Sequence, residues 1–258
     1  QTQLDNAGGA SNLTGLSYVL VENSSIWIGD PPTDTNNASY NAAYGINALK
    51  SVTKGDNNVA LGYDALKSLT EGYRNIAVGG YTLSNITGSY ENVAIGYSAM
   101  YSATTAWNNV AVGSLALYQN KTGYQNVAIG YNALSNSESA TDNTAIGNKA
   151  LKFNTSGDRN TAIGSSALAT NTSGSNNVSV GYGSLSENTT GSNNVAFGKT
   201  AGENNTEGGS NTYIGISAGD LITTGSYNTI IGKSADPSAN NASNQIVIGQ
   251  GATGVADN

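Results

Sequence analysis

The sequence predicts an all-β fold, a single-chain parallel β-solenoid of about 13 coils with a 17-residue period. Three observations support this prediction. Glycines recur in a fixed register, a short β-branched segment precedes each of them, and an Asn stands at the start of that segment. A fixed short period indicates a chain that coils and stacks on itself rather than a globule with a central cleft.

Fourteen glycines form the register. The first interval between them is 16 residues and the other twelve are 17 residues. The register glycines are Gly29, Gly45, Gly62, Gly79, Gly96, Gly113, Gly130, Gly147, Gly164, Gly181, Gly198, Gly215, Gly232 and Gly249. Each is expected to end a strand at a sharp corner, where a Cβ would hinder the turn. Positions within a coil are counted below from this glycine as zero.

The residues around each register glycine predict the path of one coil. Positions −3 to −1 most often read Val-Ala-Ile, which favours a short strand. Position −1 is apolar in every coil from Tyr44 onward, so stacking predicts a buried apolar ridge. Ala at +3 and Leu or Met at +4 predict a second short strand or bend, and the Asn-Thr-x-Gly pattern ending near +10 predicts an outer turn. Each coil is therefore expected to hold two short strands and two turns.

Asn occupies position −4 from Asn41 to Asn228, and Gln245 follows in the last coil. Amides stacked at coil spacing can hydrogen-bond along the axis. We interpret this column as a buried ladder that satisfies corner backbone groups, because a ligand site does not need one residue type in so many successive coils. The ladder residues are Asn58, Asn75, Asn92, Asn109, Asn126, Asn143, Asn160, Asn177, Asn194, Asn211 and Asn228.

A second chain is needed to cover what one coil leaves open. A 17-residue coil encloses little volume, yet apolar side chains occupy both strand faces, and the Ala column at −2 would let a neighbouring backbone approach closely. Parallel association of identical chains buries the second face. A threefold bundle is the simplest closed arrangement for a fibre, so the sequence predicts a parallel homotrimer.

Four repeats carry a family resemblance. They are Asn-Asn-Val-Ala-Leu-Gly at 57–62, Glu-Asn-Val-Ala-Ile-Gly at 91–96, Gln-Asn-Val-Ala-Ile-Gly at 125–130 and Asn-Asn-Val-Ala-Phe-Gly at 193–198. These resemble the head repeats of trimeric autotransporter adhesins, and of bacterial and phage fibre proteins matured by a self-cleaving C-terminal chaperone. The resemblance covers about residues 41–250 and implies a left-handed parallel β-roll in a trimer. The adhesin repeats run nearer 14 residues, so the turns here should protrude further.

The two ends depart from the repeat. Residues 1–40 contain two expected strands, Leu16–Val21 and Ile26–Ile28, and we interpret this segment as an N-terminal cap or a joint to other fibre components. Residues 41–258 form the predicted repeat domain. Ala256–Asn258 looks like the start of another coil, so we expect a precursor that continued and was cut, as in the resembling fibres.

The coils from about residue 199 are variants. Leu at +4 gives way to Gly202, Gly219 and Asp236, while Ala at −2 gives way to Tyr213, Ile230 and Val247. One column shrinks as the other grows. Because packed cores conserve total volume, positions −2 and +4 should border one shared space. The sequence therefore predicts a changed cross-section beyond about residue 200.

Composition and charge argue against several functions. The net charge is −7, with 10 Lys and Arg, so no basic face for nucleic acid is expected. Neither Cys nor His occurs, which removes thiolate sites and the commonest general base. The carboxylates fall in different columns, so we expect no catalytic pair, no metal site and no cofactor. No apolar run is long enough to predict a membrane span.

One column suggests binding. Position +11 carries Tyr73, Tyr90, Trp107 and Tyr124 in four successive coils, which predicts an aromatic strip on an outer turn. Aromatic strips suit sugar rings and interaction surfaces, and the alternative is packing that braces the turns. A second set at +1, Tyr63, Tyr97 and Tyr131, is interpreted as structural.

The sequence thus favours a non-enzymatic segment of a secreted extracellular or cell-surface fibre, with an adhesive or spacer role and a glycan or protein receptor. The alternative is a phage tail-fibre or tailspike shaft on a virion that binds a host receptor. An enzyme on a β-helix scaffold lacks its residues, and an ice-binding solenoid lacks an unbroken Thr column, since Val interrupts it.

Overall fold

The computed structural model of the chain describes residues 19–29, 32, 35 and 37–255. The chain divides into two compact units, residues 1–122 and 123–258. Each unit is a parallel β-solenoid of 17-residue coils, and every regular element among the described residues is a strand. The predicted fold class is therefore confirmed. The predicted strand residues 16–18 and the segment Ala256–Asn258 lie outside the described residues.

The first unit contains seven of the described strands. They are β1 (Val19–Glu22), β2 (Ser25–Gly29), β3 (Ala42–Gly45), β4 (Val59–Leu61), β5 (Ile76–Val78), β6 (Val93–Ile95) and β7 (Val110–Val112). Strands β1 and β2 form an antiparallel pair, and from β2 to β7 each strand pairs in parallel with the next. Strand β2 lies within the segment 1–40, and Gly29 pairs there with Gly45.

The second unit contains eight described strands. They are β8 (Val127–Ile129), β9 (Thr144–Ile146), β10 (Thr161–Ile163), β11 (Val178–Val180), β12 (Val195–Phe197), β13 (Thr212–Ile214), β14 (Thr229–Ile231) and β15 (Ile246–Ile248). All of them pair in parallel, and each residue stands opposite the residue 17 positions later. The 17-residue register therefore holds throughout this unit.

Each three-residue strand turns its middle residue into the coil and its two flanking residues outward. Ala94 is fully buried, whereas Ile95 is 38% exposed. Side chains alternate along a strand, so only one face can be interior, and a coil this narrow accommodates the small Ala. The expected burial of the −1 ridge within the chain is therefore wrong. The Ala column likewise lines its own coil and does not face a neighbouring chain.

Each 17-residue coil contains one strand, not the two that the sequence predicts. The Leu at +4 is buried but takes a left-handed backbone, with φ near +50° at Leu66 and Leu134. A left-handed residue interrupts extended structure. The turns nevertheless bond from coil to coil, since the Leu66 N–H donates to the Thr82 carbonyl at 3.0 Å. Hydrogen bonds along the axis therefore continue outside the strands.

The register glycines allow the coils to stack closely at the corner after each strand. Gly79 has a φ of +128°, and a Cβ built there would lie 2.7 Å from the carbonyl oxygen of Gly96. No side chain fits at that distance. Glycine at this position is therefore required both by backbone conformation and by the approach of the next coil.

The variant coils change the interior as predicted. Tyr213 on β13 is fully buried, and it occupies the space that Leu at +4 fills in earlier coils. A Cβ built on Gly202 would lie 2.6 Å from the Cδ2 atom of the Tyr213 ring, and one built on Gly219 would also meet that ring. Positions −2 and +4 therefore share one volume. Burial raises the pKa of Tyr213, and its neutral hydroxyl contacts Asn205 Oδ1 at 3.3 Å.

Candidate functional site

Three of the four residues of the predicted aromatic strip form a ring stack in the first unit, here called the Tyr73 stack: Tyr73, Tyr90 and Trp107. The centroids of Tyr73 and Tyr90 lie 5.0 Å apart with ring planes 5° from parallel. Those of Tyr90 and Trp107 lie 5.8 Å apart at 22°. The fourth residue, Tyr124, belongs to the second unit.

The Tyr73 stack places its ring faces against one another. The guanidinium carbon of Arg74 also lies 5.6 Å from the centroid of the Tyr73 ring, and the same guanidinium pairs with Glu91 at 2.9 Å. A sugar ring stacks on an aromatic face rather than an edge, because the face carries the negative part of the ring quadrupole. The geometry of this stack therefore favours bracing of the outer turns, and a binding role for the strip stays a prediction.

A second aromatic group in the first unit is larger, and the sequence patterns did not reveal it. The tyrosine cluster consists of Tyr63, Tyr81, Tyr97, Tyr101 and Tyr118. Tyr81 meets Tyr63, Tyr97 and Tyr101 edge to face at 5.2, 5.8 and 6.4 Å. Tyr101 and Tyr118 stack at 5.6 Å. The five residues occupy positions +1, +2 and +5, so no single column of the repeat contains them.

The tyrosine cluster borders a cleft of about 240 Å³ lined by Tyr81, Tyr97, Ser98, Tyr101 and Tyr118. Desolvation raises the pKa of Tyr81, and the neighbouring Tyr63 and Tyr97 add to the rise. The Tyr81 hydroxyl is therefore a neutral donor and acceptor at physiological pH. Among the +1 tyrosines predicted to be structural, Tyr63 and Tyr97 belong to this cluster, while Tyr131 lies in the second unit.

The Asn residues at −4 are buried and hydrogen-bonded in three directions. In the second unit, Asn143 Nδ2 donates to the Gly157 carbonyl at 3.0 Å, which joins the strand to the outer turn of its own coil. Its Oδ1 accepts from the backbone N–H of Asn160 at 2.9 Å, one coil further on. These amides are fully committed to the protein itself. The column is a structural ladder with no group free for a ligand at Asn143.

A second amide ladder runs at position +7 in the second unit, through Asn154, Asn171, Asn188 and Asn205. All four are fully buried. Each Nδ2 from Asn171 onward donates to the Oδ1 one coil earlier at 2.7–2.8 Å. The same column carries Val52, Leu69 and Ile86 in the first unit. Recurrence of Asn at 17-residue spacing was the sequence signal for this ladder.

Acidic residues converge at one cleft of the second unit. The cleft has a volume of about 430 Å³, and Glu187, Asn204 and Asp220 are among the residues that line it. Burial raises the pKa of Asp220, and the adjacent, hydrogen-bonded Asp236 raises it further. The expectation that carboxylates would stay apart in different columns is therefore wrong here, because turns of successive coils stack +4 and +5 positions together.

Within the described residues, no group of three or more metal-ligating side chains comes together. The same part of the chain forms no helix that is long and apolar enough to cross a membrane. Comparison of the chain with protein-family models finds no match. Comparisons with curated proteins and with solved structures find none either.

Proposed function

We propose that this chain is a non-enzymatic segment of a secreted extracellular fibre, assembled as a parallel homotrimer, which mediates surface attachment or acts as a rigid spacer. The observation that carries the proposal is the outward apolar face of the strands. This face, here called the strand face, consists of the side chains at positions −3 and −1 of each coil.

The strand face is apolar in both units. In the first unit, Val59 and Leu61 on β4 are 40% and 45% exposed. Ile26, Tyr44 and Leu61 are among the residues that line an apolar groove of about 230 Å³ on that sheet. In the second unit, Ile129 is 38% exposed and Phe197 is 58% exposed.

Covering the strand face is energetically favourable. Burial of apolar surface contributes about 25 cal/mol per Å², and contiguous apolar surfaces of this extent on soluble proteins mark interaction sites. A second copy of the same chain is the natural partner, because both copies repeat every 17 residues and their ridges stay in step along the axis. Parallel chains around a threefold axis bury all three faces without leaving an open edge.

The interior supports a stiff fibre. The amide ladders and the backbone bonds between coils are both directed along the axis, so each coil is held to the next by many short hydrogen bonds. Contacts between nearest-neighbour coils give a rod whose stiffness does not depend on a large central core. Such an element suits spacing and presentation of a surface.

The trimer is tested by placing a charge on the strand face. Wild-type protein should sediment at three times the 26.2 kDa of one chain. Ile129→Lys would bring three ammonium groups together in the apolar interface, so the trimer should weaken by at least about tenfold in dissociation constant. Ser139→Lys, at an exposed position of the same unit, is the matched control and should leave the trimer intact.

A wild-type chain that sediments as a monomer at every concentration would contradict the proposal, as would Ile129→Lys trimers as stable as those of the control. The site of attachment is tested separately by imaging native particles with an antibody against the chain. Label along fibres at a cell surface supports the proposal, whereas label on tail fibres of phage particles would move the segment to a virion.

A further inference from the structure

The tyrosine cluster forms because one coil lacks a side chain at +1. Tyr63 and Tyr97 stand at that position two coils apart, and Gly80 stands between them. Stacked coils repeat at about 4.8 Å, so the two tyrosines flank a gap of about 10 Å. The ring of Tyr81, the next residue along the chain, reaches Tyr63 and Tyr97 edge to face. A tyrosine at position 80 would compete for this space.

The edge-to-face arrangement leaves ring surface available, in contrast to the Tyr73 stack. Tyr97 is 58% exposed and Tyr63 is 46% exposed. The cleft beside them has phenol rings on several sides and the Ser98 backbone and side chain as a further wall. At about 240 Å³ it is smaller than the roughly 300–1,000 Å³ of sites for drug-sized ligands, so it suits a single small ring.

The chemistry of the lining points to an uncharged polar ligand. All five lining residues are neutral. The nearby carboxylate of Asp64 is paired with Lys67 at 3.0 Å and accepts from Asn47 at 2.7 Å. With a net charge of −7, the chain also disfavours an anionic ligand. The C–H face of a pyranose carries partial positive charge that an aromatic face attracts, while phenol hydroxyls can bond to its hydroxyls.

We propose that the tyrosine cluster is a binding site for one neutral pyranose unit of a surface glycan, seated in the cleft between Tyr81, Tyr97 and the Tyr101–Tyr118 pair. The inference rests on the adhesive fibre function proposed above and assigns it a site and a ligand class. It places recognition at this cleft rather than at the Tyr73 stack.

The test uses the full chain and saturation-transfer NMR with a panel of neutral methyl pyranosides, followed by titration of the best binder. Tyr101→Ala should weaken its binding at least about tenfold, because the Tyr101 ring forms one side of the cleft. Tyr101→Phe, which keeps the ring, should retain more of the affinity. Tyr182→Ala is the matched control, since Tyr182 is 60% exposed at position +1 of another coil, and should bind as wild type.

Circular dichroism and sedimentation of every variant separate lost binding from lost folding or lost assembly. Trimeric wild type that binds no neutral pyranoside would overturn the glycan site while leaving the fibre function standing. Binding that survives Tyr101→Ala and Tyr118→Ala, or that is lost in Trp107→Ala instead, would also overturn it. A monomeric wild type that still binds would contradict the fibre proposal but support the site.

Discussion

At the scale of single residues, position decides whether a polar side chain is structural. Asn143 and Asn148 lie five residues apart, yet one is fully buried in the −4 ladder and the other is exposed at the first position after a register glycine. The ladder position was predictable because Asn recurs there in coil after coil. Its hydrogen bonds to the outer turn were not, because they depend on how the coil closes.

We expect Asn143→Ala to lower the free energy of unfolding by about 2–4 kcal/mol. The change leaves the Gly157 carbonyl and the Asn160 N–H buried without their partner, and each such group costs about 1–3 kcal/mol. The measurement is urea unfolding followed by circular dichroism. Asn148→Ala serves as control and should stay within about 0.5 kcal/mol of wild type. Equal effects of the two changes would refute the ladder's structural role.

Asp220 gives the chain a pH-dependent contact. Its pKa is raised by burial and by Asp236, so the folded state resists losing this proton. Stability from this group is therefore present below the ordinary pKa of Asp, about 3.9, and declines as the pH rises through the raised value. We expect Asp220→Asn to raise the urea midpoint at pH 7 and to have no effect near pH 3. Asp142→Asn, at an exposed site, is the comparison. A midpoint at pH 7 that falls in Asp220→Asn would count against this sign.

At the scale of one coil, the interior behaves as a fixed volume that different columns can fill. Earlier coils combine Ala at −2 with Leu at +4, whereas the coils around Tyr213 combine an aromatic ring with Gly202 and Gly219. This exchange could be inferred from the sequence because the two columns change together. The left-handed backbone at +4 could not, since Leu does not favour that conformation.

The exchange predicts a compensating pair of mutations. Tyr213→Ala alone should destabilise by about 3–5 kcal/mol through a cavity, and Gly219→Leu alone should destabilise by overpacking against the ring. Together they restore the pattern of earlier coils, where Leu at +4 has nearly the same φ. The double variant should therefore lose less stability than the sum of the two, by at least about 1 kcal/mol in a double-mutant cycle. Additive losses would mean that the two positions do not share a volume.

At the scale of the molecule, stability is expected to come from repetition rather than from one central core. Each described coil bonds to its neighbours through the residue 17 positions away, so a whole coil is the unit that can be added or removed. Proteins of this kind behave as chains of nearest-neighbour interactions. The proposed trimer has the same periodicity, because its strand face repeats with the coil.

Deletion of residues 148–164 removes one full period within the second unit and joins Gly147 to Ser165 in register. We expect this variant to remain folded with a modest loss of stability, because every column continues across the junction. Deletion of residues 148–156 shifts the columns, places polar residues inside and should abolish cooperative unfolding. Circular dichroism and thermal melts distinguish the two. Equal folding of both deletions would show that the 17-residue register is not what holds the unit together.

The sequence by itself determined the period, the strand before each glycine, the amide ladder and the exchange of volume near Tyr213. Recurrence at 17 residues states which residues stack on which, and that is enough for these features. The tertiary structure decided that the Ala face turns inward and the Ile ridge outward, because alternation defines two faces but only closure of the coil selects one. It also decided which irregular positions meet, joining Tyr81 to Tyr97 and Asp220 to Asp236. Such contacts depend on where each turn carries its side chains, which no column of the repeat records.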